Sequence, residues 1–395
     1  MVFLLLVALS LTFAQLRVLS TESNEGAFAV RDLEDHLCFV GRRDSGGDGY
    51  DALLGVCGDG CRTYLLSSPS DDYSYTVEKH GRLCVAGITS LARGNMDFVL
   101  ALFGEGGVEE VLSFGGKGND MLWFMRKVKG GYVLVGGVQN SDWDILVVKL
   151  SEELRPLWVK RFGTRSEEYA YGVVEAGGKY YVVGRSKYRG NWDAFILELS
   201  PEGRLLSAQL FGSDRKDYLR YVGLFRGEPL AVGRSEALGD SDVLLLIPRS
   251  GLYRLYDGGE FDYGRVFRER RDGVVLMGDT YSDGASDGLL LFLDGKLNPV
   301  ESFAIGGEDV ESVRYLDGSY FAGYTYSFTL DNDVLLGSVT GVCRGLVRKK
   351  EFHERKVVLE FYPYPLEERA YSFHSLDLKI TVKTLKLKEL DPCQE

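Results

Sequence analysis

Proline and histidine are scarce in this sequence, at 9 and 4 of 395 residues. The few histidines are scattered and offer little material for a metal centre or an acid–base dyad. His36 and His80 fall in expected strand turns, His353 and His374 near the C-terminus. Positive charge is also short. With 46 Lys and Arg against 58 Asp and Glu, the formal net charge is −12, which argues against the cationic stripe that nucleic-acid binding needs. There is no Ser nucleophile elbow, HExxH motif or phosphate loop, and the oxygen-rich loops SGGDGYD and YSDGASDG lack EF-hand spacing. These absences predict a chain with no cofactor, no metal and no nucleic-acid partner.

Long apolar runs are confined to the start. MVFLLLVALSLTFAQ is long enough for a signal-peptide core and too short for an ordinary membrane span. It predicts a signal peptide over residues 1–14 with cleavage after Ala14, a secreted or cell-surface chain, and no membrane span in what remains; a retained anchor is the alternative. The six cysteines suit an oxidising compartment. In CGDGC, Cys57 and Cys61 flank a short turn and are expected to bond, and Cys343 with Cys393 would tie down the tail. Cys38 in LCFVG and Cys84 in LCVAG occupy matching positions, which predicts same-facing core residues and no direct bond.

Glycine, tyrosine and phenylalanine are plentiful, at 49, 23 and 21, as many short strands joined by tight turns require. Aligned with itself, the chain shows one motif seven times: an apolar strand ending in glycine, a polar loop, an aspartate, and another apolar strand. The glycines are Gly41, Gly87, Gly136, Gly184, Gly233, Gly278 and Gly323; the aspartates are Asp51, Asp97, Asp144, Asp193, Asp242, Asp287 and Asp333. The fourth copy reads as four strands: YAYGVVEA, KYYVVGRS, DAFILELS and RLLSAQLFG. The period predicts an all-β, seven-bladed β-propeller of four-stranded antiparallel blades over residues 15–342, with a short β-rich C-terminal extension over 343–395. Residues 15–20 are expected to supply the outer strand of the last blade and close the ring, with GLVRKKEF as the rival. The extension carries 11 basic and 9 acidic residues against 35 and 49 in the remainder, so it is expected to lie on the ring; docking a partner is the alternative.

The stretches FGTRSEEYAYGVVEAGGKYYVVGRSKYRGNWDAFILELSPEG and FGSDRKDY…PLAVGRSEALGDSDVLLLI resemble the tandem β-propeller repeats of exported bacterial and archaeal proteins. In those repeats FGG…D leads into a strand, VxGxTxS closes the second and Asp opens the third. The resemblance covers about residues 15–342 and implies a fold without shared catalytic residues. LLSSPSDDY lacks the FGG, and LYDGGEFDY replaces its aromatic residue.

A carboxylate present in every blade answers a need of every blade, so the seven aspartates are expected to accept backbone N–H groups at strand entrances. A recurring acid–tyrosine pair, Asp72–Tyr73, Glu168–Tyr169, Asp217–Tyr218 and Asp262–Tyr263, reads as structural too. Features that vary among blades are the candidates for binding. Tyr50, Trp143, Tyr188, Trp192 and Tyr281, with Tyr324 and Tyr326, stand in loops of one face, where rings stack on sugars or anchor a partner. Arg31, Arg126 and Arg268 lie ten residues before their glycines and Arg314 nine before, all on innermost strands, where they either hold an anion or pair with acids such as Glu78 and Glu175. The pattern predicts an exported, non-enzymatic structural or protein-interaction module of the cell envelope. A glycan-binding propeller using the aromatic loops is the alternative, followed by a carbohydrate-active hydrolase with paired carboxylates near the channel.

Overall fold

Short runs of β-branched and aromatic residues, each cut by Gly, Ser or Asp, form strands throughout, and the strands pair into seven antiparallel sheets. The computed structural model describes residues 17–390 apart from 22, 47–48, 92, 283, 328–330, 340–346, 377, 379 and 387. The expected signal peptide and the Cys343–Cys393 bond lie outside the described residues. Blade one comprises β2 (Glu25–Asp32), β3 (Leu37–Asp44), β4 (Tyr50–Cys57) and β5 (Cys61–Ser67). Blades two to six repeat this order from innermost strands β6 (Asp72–His80), β10 (Asn119–Val128), β14 (Glu168–Ala176), β18 (Asp217–Phe225) and β22 (Asp262–Arg270). Blade seven has β26 (Glu311–Asp317), β27 (Tyr320–Thr325) and β28 (Asp333–Ser338), and borrows β1 (Arg17–Ser20) as its fourth strand, with Leu19 opposite Val334. The third strands are buried on both faces because each sheet packs between two others; Phe98, Phe195 and Val147 are fully buried.

Beyond these four strands the C-terminal extension adds a fifth to every blade. Val347–Lys349 (β29) joins blade six, His353–Arg355 (β30) blade five, Glu360–Pro363 (β31) blade four and Glu367–Arg369 (β32) blade three. His374–Ser375 (β33) joins blade two, Thr381–Leu385 (β34) blade one, and Lys388–Leu390 (β35) blade seven, outside β1. The rival segment GLVRKKEF therefore edges blade six instead of closing the ring. The extension circles the perimeter against the direction of blade order and covers sheet edges that would otherwise stand open. Its cations engage the acidic ring: Arg348 meets Asp287 at 2.6 Å, Arg355 meets Asp257 at 2.9 Å and Arg369 meets Asp144 at 3.0 Å.

Cys57 and Cys61 are bonded as expected, and Cys38 is bonded to Cys84, which the repeat argued against. The reason is a one-residue slip. In blade one the landmark glycine, Gly41, pairs with Ala27, the residue before a bulge; in blade two that place is taken by Ile88, and Gly87 comes one position early. Counting from Gly87 therefore aligns Cys84 with the wrong residue. Side chains alternate along a strand, so the slip turns Cys84 to the opposite face, toward Cys38 of the adjacent blade.

Candidate functional site

Each innermost strand carries a buried acid at its first position, or its second in β10, and skips one residue of its ladder three positions after the acid. The acids are Glu25, Asp72, Asp120, Glu168, Asp217, Asp262 and Glu311, all at most 2% exposed. Each carboxylate accepts the backbone N–H four residues earlier, from Ser213 to Asp217 at 2.7 Å and from Gly258 to Asp262 at 2.7 Å, for example. This is the strand-entrance role expected of the Asp51 series, and it belongs to the other acid. The Asp51 series faces the first across each seam between blades and is held largely by side chains: Asp97 by Arg93 at 2.6 Å, Asp144 by Arg161 and Arg369, Asp193 by Arg189 at 3.5 Å. Burial, then the neighbouring charges, pushes Asp242 up to about 7, and burial does the same to Glu168 and Asp262. Asp242, Asp257 and Asp262 bring carboxylate oxygens within 4.8 Å of one another, but Asp257 is paired with Arg355 and Asp262 is hydrogen-bonded by Thr280 and Gly258.

The bulged residues are Phe28, Tyr75, Trp123 and Tyr171 in blades one to four, and Arg220, Arg265 and Arg314 in blades five to seven. They form a ring about the axis, one arc aromatic and the other cationic. Adjacent rings touch, with centroids 5.5 Å apart for Phe28–Tyr75, 4.9 Å for Tyr75–Trp123 and 5.6 Å for Trp123–Tyr171, and Arg220 lies 4.8 Å above Tyr171. The bulge also explains most of the landmark glycines. At Gly136 a Cβ would stand 1.8 Å from the carbonyl oxygen of Met121, which the bulge turns inward, and at Gly233 a Cβ would meet that of Tyr218 at the same distance.

The ring and its second row enclose a pit of about 320 Å³ lined by all but Tyr171 of the bulged residues, together with Arg42, Val310, Tyr324, Tyr326 and Asn332. Arg265 is paired with buried Asp279, which Ser312 also binds at 2.6 Å, and Arg314 donates to the Tyr324 hydroxyl at 2.8 Å. Arg42 and Arg220 stack on rings and meet no carboxylate among the described residues. Beneath the pit Phe124, Tyr221 and Tyr315, from blades three, five and seven, meet across the axis with centroids 5.8–6.2 Å apart and close the channel.

Below that plug lies a separate tier. Arg31 pairs with Glu78 at 2.5 Å and with Asp317 at 2.8 Å, Arg268 pairs with Asp317 at 2.9 Å, and Arg126 donates to the Tyr221 hydroxyl at 2.8 Å. Arg126 and Arg268 line a lower mouth of about 590 Å³. Arg314 does not belong with them: the first hairpin of blade seven is four residues shorter than that of blade one, so counting back from Gly323 reaches the upper ring.

Of the loop aromatics Tyr324 and Tyr326 line the pit, and the other five stand outside it. Trp143 and Trp192 both pack on Tyr169, at 5.5 and 5.7 Å, and Arg185 covers Trp192 at 4.2 Å. Tyr50 lies under Arg42 at 4.3 Å, while Tyr188 and Tyr281 are exposed at the rim beside Tyr364 and Phe261. Six of the seven bulged residues are absent from the candidates that landmark counting yields. Their signal is nevertheless present, as an acid followed three residues later by a ring or an arginine: EGAF, DYSY, DMLW, EYAY, DYLR, DYGR and ESVR.

Seven radial sheets around a plugged axis define the class: this is a seven-bladed β-propeller. Among solved structures it is similar to the WD40 beta propeller domain of Doa1, with a TM-score of 0.52 and 13% identity over 82% of this chain and 96% of that one. It is also similar to Sqt1 from Chaetomium thermophilum, with a TM-score of 0.48 and 10% identity over 81% and 99%. At these identities the likeness concerns the fold alone. No known family's sequence profile matches the chain. An uncharacterized protein of Aquifex aeolicus (strain VF5) is 40% identical over 320 residues, which span 81% of this chain and 89% of that one, and the chain belongs to that protein's family.

Proposed function

We propose that the chain is an exported, non-enzymatic propeller that serves as an interaction module of the cell envelope and engages its partner with the upper mouth. The observation that carries this reading is the placement of charge. The repeated carboxylates are spent on the seams between blades, whereas the most irregular tier, the bulge ring, sets arginines against aromatic rings in an open pit. Aromatic and arginine side chains are the groups that dominate binding surfaces. Glycoside hydrolysis would need two carboxyl groups flanking one bond, and the acid beside the pit, Asp279, is engaged by Arg265 and Ser312. Two disulfides and the apolar N-terminal stretch support export, since such bonds persist in oxidising compartments.

The test is fractionation of the native host combined with cross-linking in intact cells. The chain is expected in the envelope or medium with both disulfides formed, and charge reversal at the mouth, Arg220→Glu, should abolish its cross-linked partner. A reduced, cytosolic chain would sink the export reading. Cross-links unchanged by the substitution would sink the mouth as the binding face.

A further inference from the structure

The geometry points to the upper pit as the binding site of an acidic sugar, a uronate-type ring bearing a carboxylate and free hydroxyl groups. This rests on the reading of the upper mouth as the binding face and names the chemistry held there. Charge comes first. In a chain of net charge −12, four arginines, Arg42, Arg220, Arg265 and Arg314, converge on a pit of about 320 Å³. Asp279 offsets one of them, while Arg42 and Arg220 have no carboxylate partner among the described residues. Burial, and then the adjacent Arg265, holds Arg314 below its ordinary value. Gathering like charges in a partly buried pit is unfavourable unless an anion joins them.

Beside the arginines stand Phe28, Tyr75 and Trp123 in mutual contact, with Arg42 and Arg314 against Phe28 and Arg220 against Trp123, an aromatic arc suited to the C–H face of a pyranose or to another flat ring. The third observation decides between these. Asn332 lines the pit and is 9% exposed, and its buried side-chain oxygen accepts no hydrogen bond. A buried acceptor without a donor is costly, and a ligand hydroxyl would supply one. A phosphorylated or sulfated aromatic ring would satisfy the arginines and the arc but offers no hydroxyl donor for Asn332 at neutral pH. A uronate meets all three needs. The plug beneath makes entry end-on, so one sugar unit is held and any polymer extends outward.

Isothermal titration of the full chain with trigalacturonate, with maltotriose as the neutral control, tests this directly. Saturable binding is expected for the acid and at least about tenfold weaker binding for the neutral sugar, a difference of about 1.4 kcal/mol. Raising the salt should narrow the gap, because exposed charge pairs are screened. Arg220→Gln, Trp123→Ala and Asn332→Ala should each weaken trigalacturonate binding by about tenfold or more. Trp192→Ala, outside the pit, should leave it unchanged. An unaltered thermal midpoint for Arg220→Gln shows that the fold is intact. Equal affinity for maltotriose, tighter binding of a phosphotyrosine peptide, a loss with Trp192→Ala alone, or no saturation at millimolar ligand would each overturn the assignment. Should trigalacturonate fail while Arg220→Glu still abolishes the envelope cross-link, the sugar assignment falls and the interaction reading stands.

Discussion

Asp242 carries both carboxylate oxygens into a seam where neither finds a hydrogen-bond partner among the described residues, beside Asp257 and Asp262. Its carboxyl is pushed up to about 7, against about 4 for an unfolded chain. The folded state therefore holds this proton more tightly than the unfolded state. The ionised group costs nothing below pH 4, and its cost grows as the pH rises through the window from 4 to 7. Asp242→Asn keeps the shape and removes the charge, so it should stabilise the fold at pH 8 by about 2 kcal/mol and change little at pH 4, as read from thermal midpoints at the two values. Gly136 carries the opposite expectation. A Cβ there would meet the Met121 carbonyl oxygen at 1.8 Å, and Gly136→Ala should cost about 3 kcal/mol in urea unfolding. An alanine that costs less than a few tenths would show that the bulge relaxes freely. At this scale the sequence displays residue identity without direction. The Asp51 and Glu25 series both look like repeated acids, and the backbone decides which one caps the strand entrance.

Among elements, the bond between Cys38 and Cys84 ties blade one to blade two across a separation of 46 residues, while Cys57–Cys61 closes a separation of 4. By loop entropy the long closure stabilises by about 4 kcal/mol and the short one by about 2. Cys38→Ser with Cys84→Ser should accordingly lower the calorimetric midpoint more than Cys57→Ser with Cys61→Ser; the reverse order would mean that strain or residual structure outweighs closure. The perimeter strands carry a second expectation. A chain ended at residue 342 loses the cover on seven sheet edges and the Arg348, Arg355 and Arg369 pairs. It should elute in size-exclusion chromatography as higher oligomers where the full chain does not. In LDLKITVKTLKLKEL apolar residues alternate with lysine, which predicts strands, and the charge of the extension predicts that it meets the ring. Which edge each segment joins rests on contacts between residues hundreds apart, and short strands such as β33 carry no local signal for that.

For the whole molecule, the inter-blade seams make stability depend on pH in an unusual sense. Burial raises Asp72, Asp120 and Asp193 to about 6 and Glu168 and Asp262 to about 7, so each binds its proton more firmly folded than unfolded. Stability should therefore rise as the pH falls from 8 toward 5, in contrast to proteins whose carboxylates are mostly paired. Below about 4 it should fall again, because Asp317, held below the usual range by Arg31 and Arg268 although burial opposes them, loses those pairs on protonation. A midpoint that climbs steadily from pH 5 to 8 would contradict this. Sevenfold architecture was legible because two landmarks kept phase across the repeat, whereas the bulge ring was hidden because an extra residue in a strand leaves the apolar alternation looking continuous. At the seam where the circle is sewn shut, β1 and β35 lie side by side, with Val18 opposite Leu390. The first and last strands among the described residues thus share one blade. Tension drawn through β1 and β35 together would load that blade before the other six.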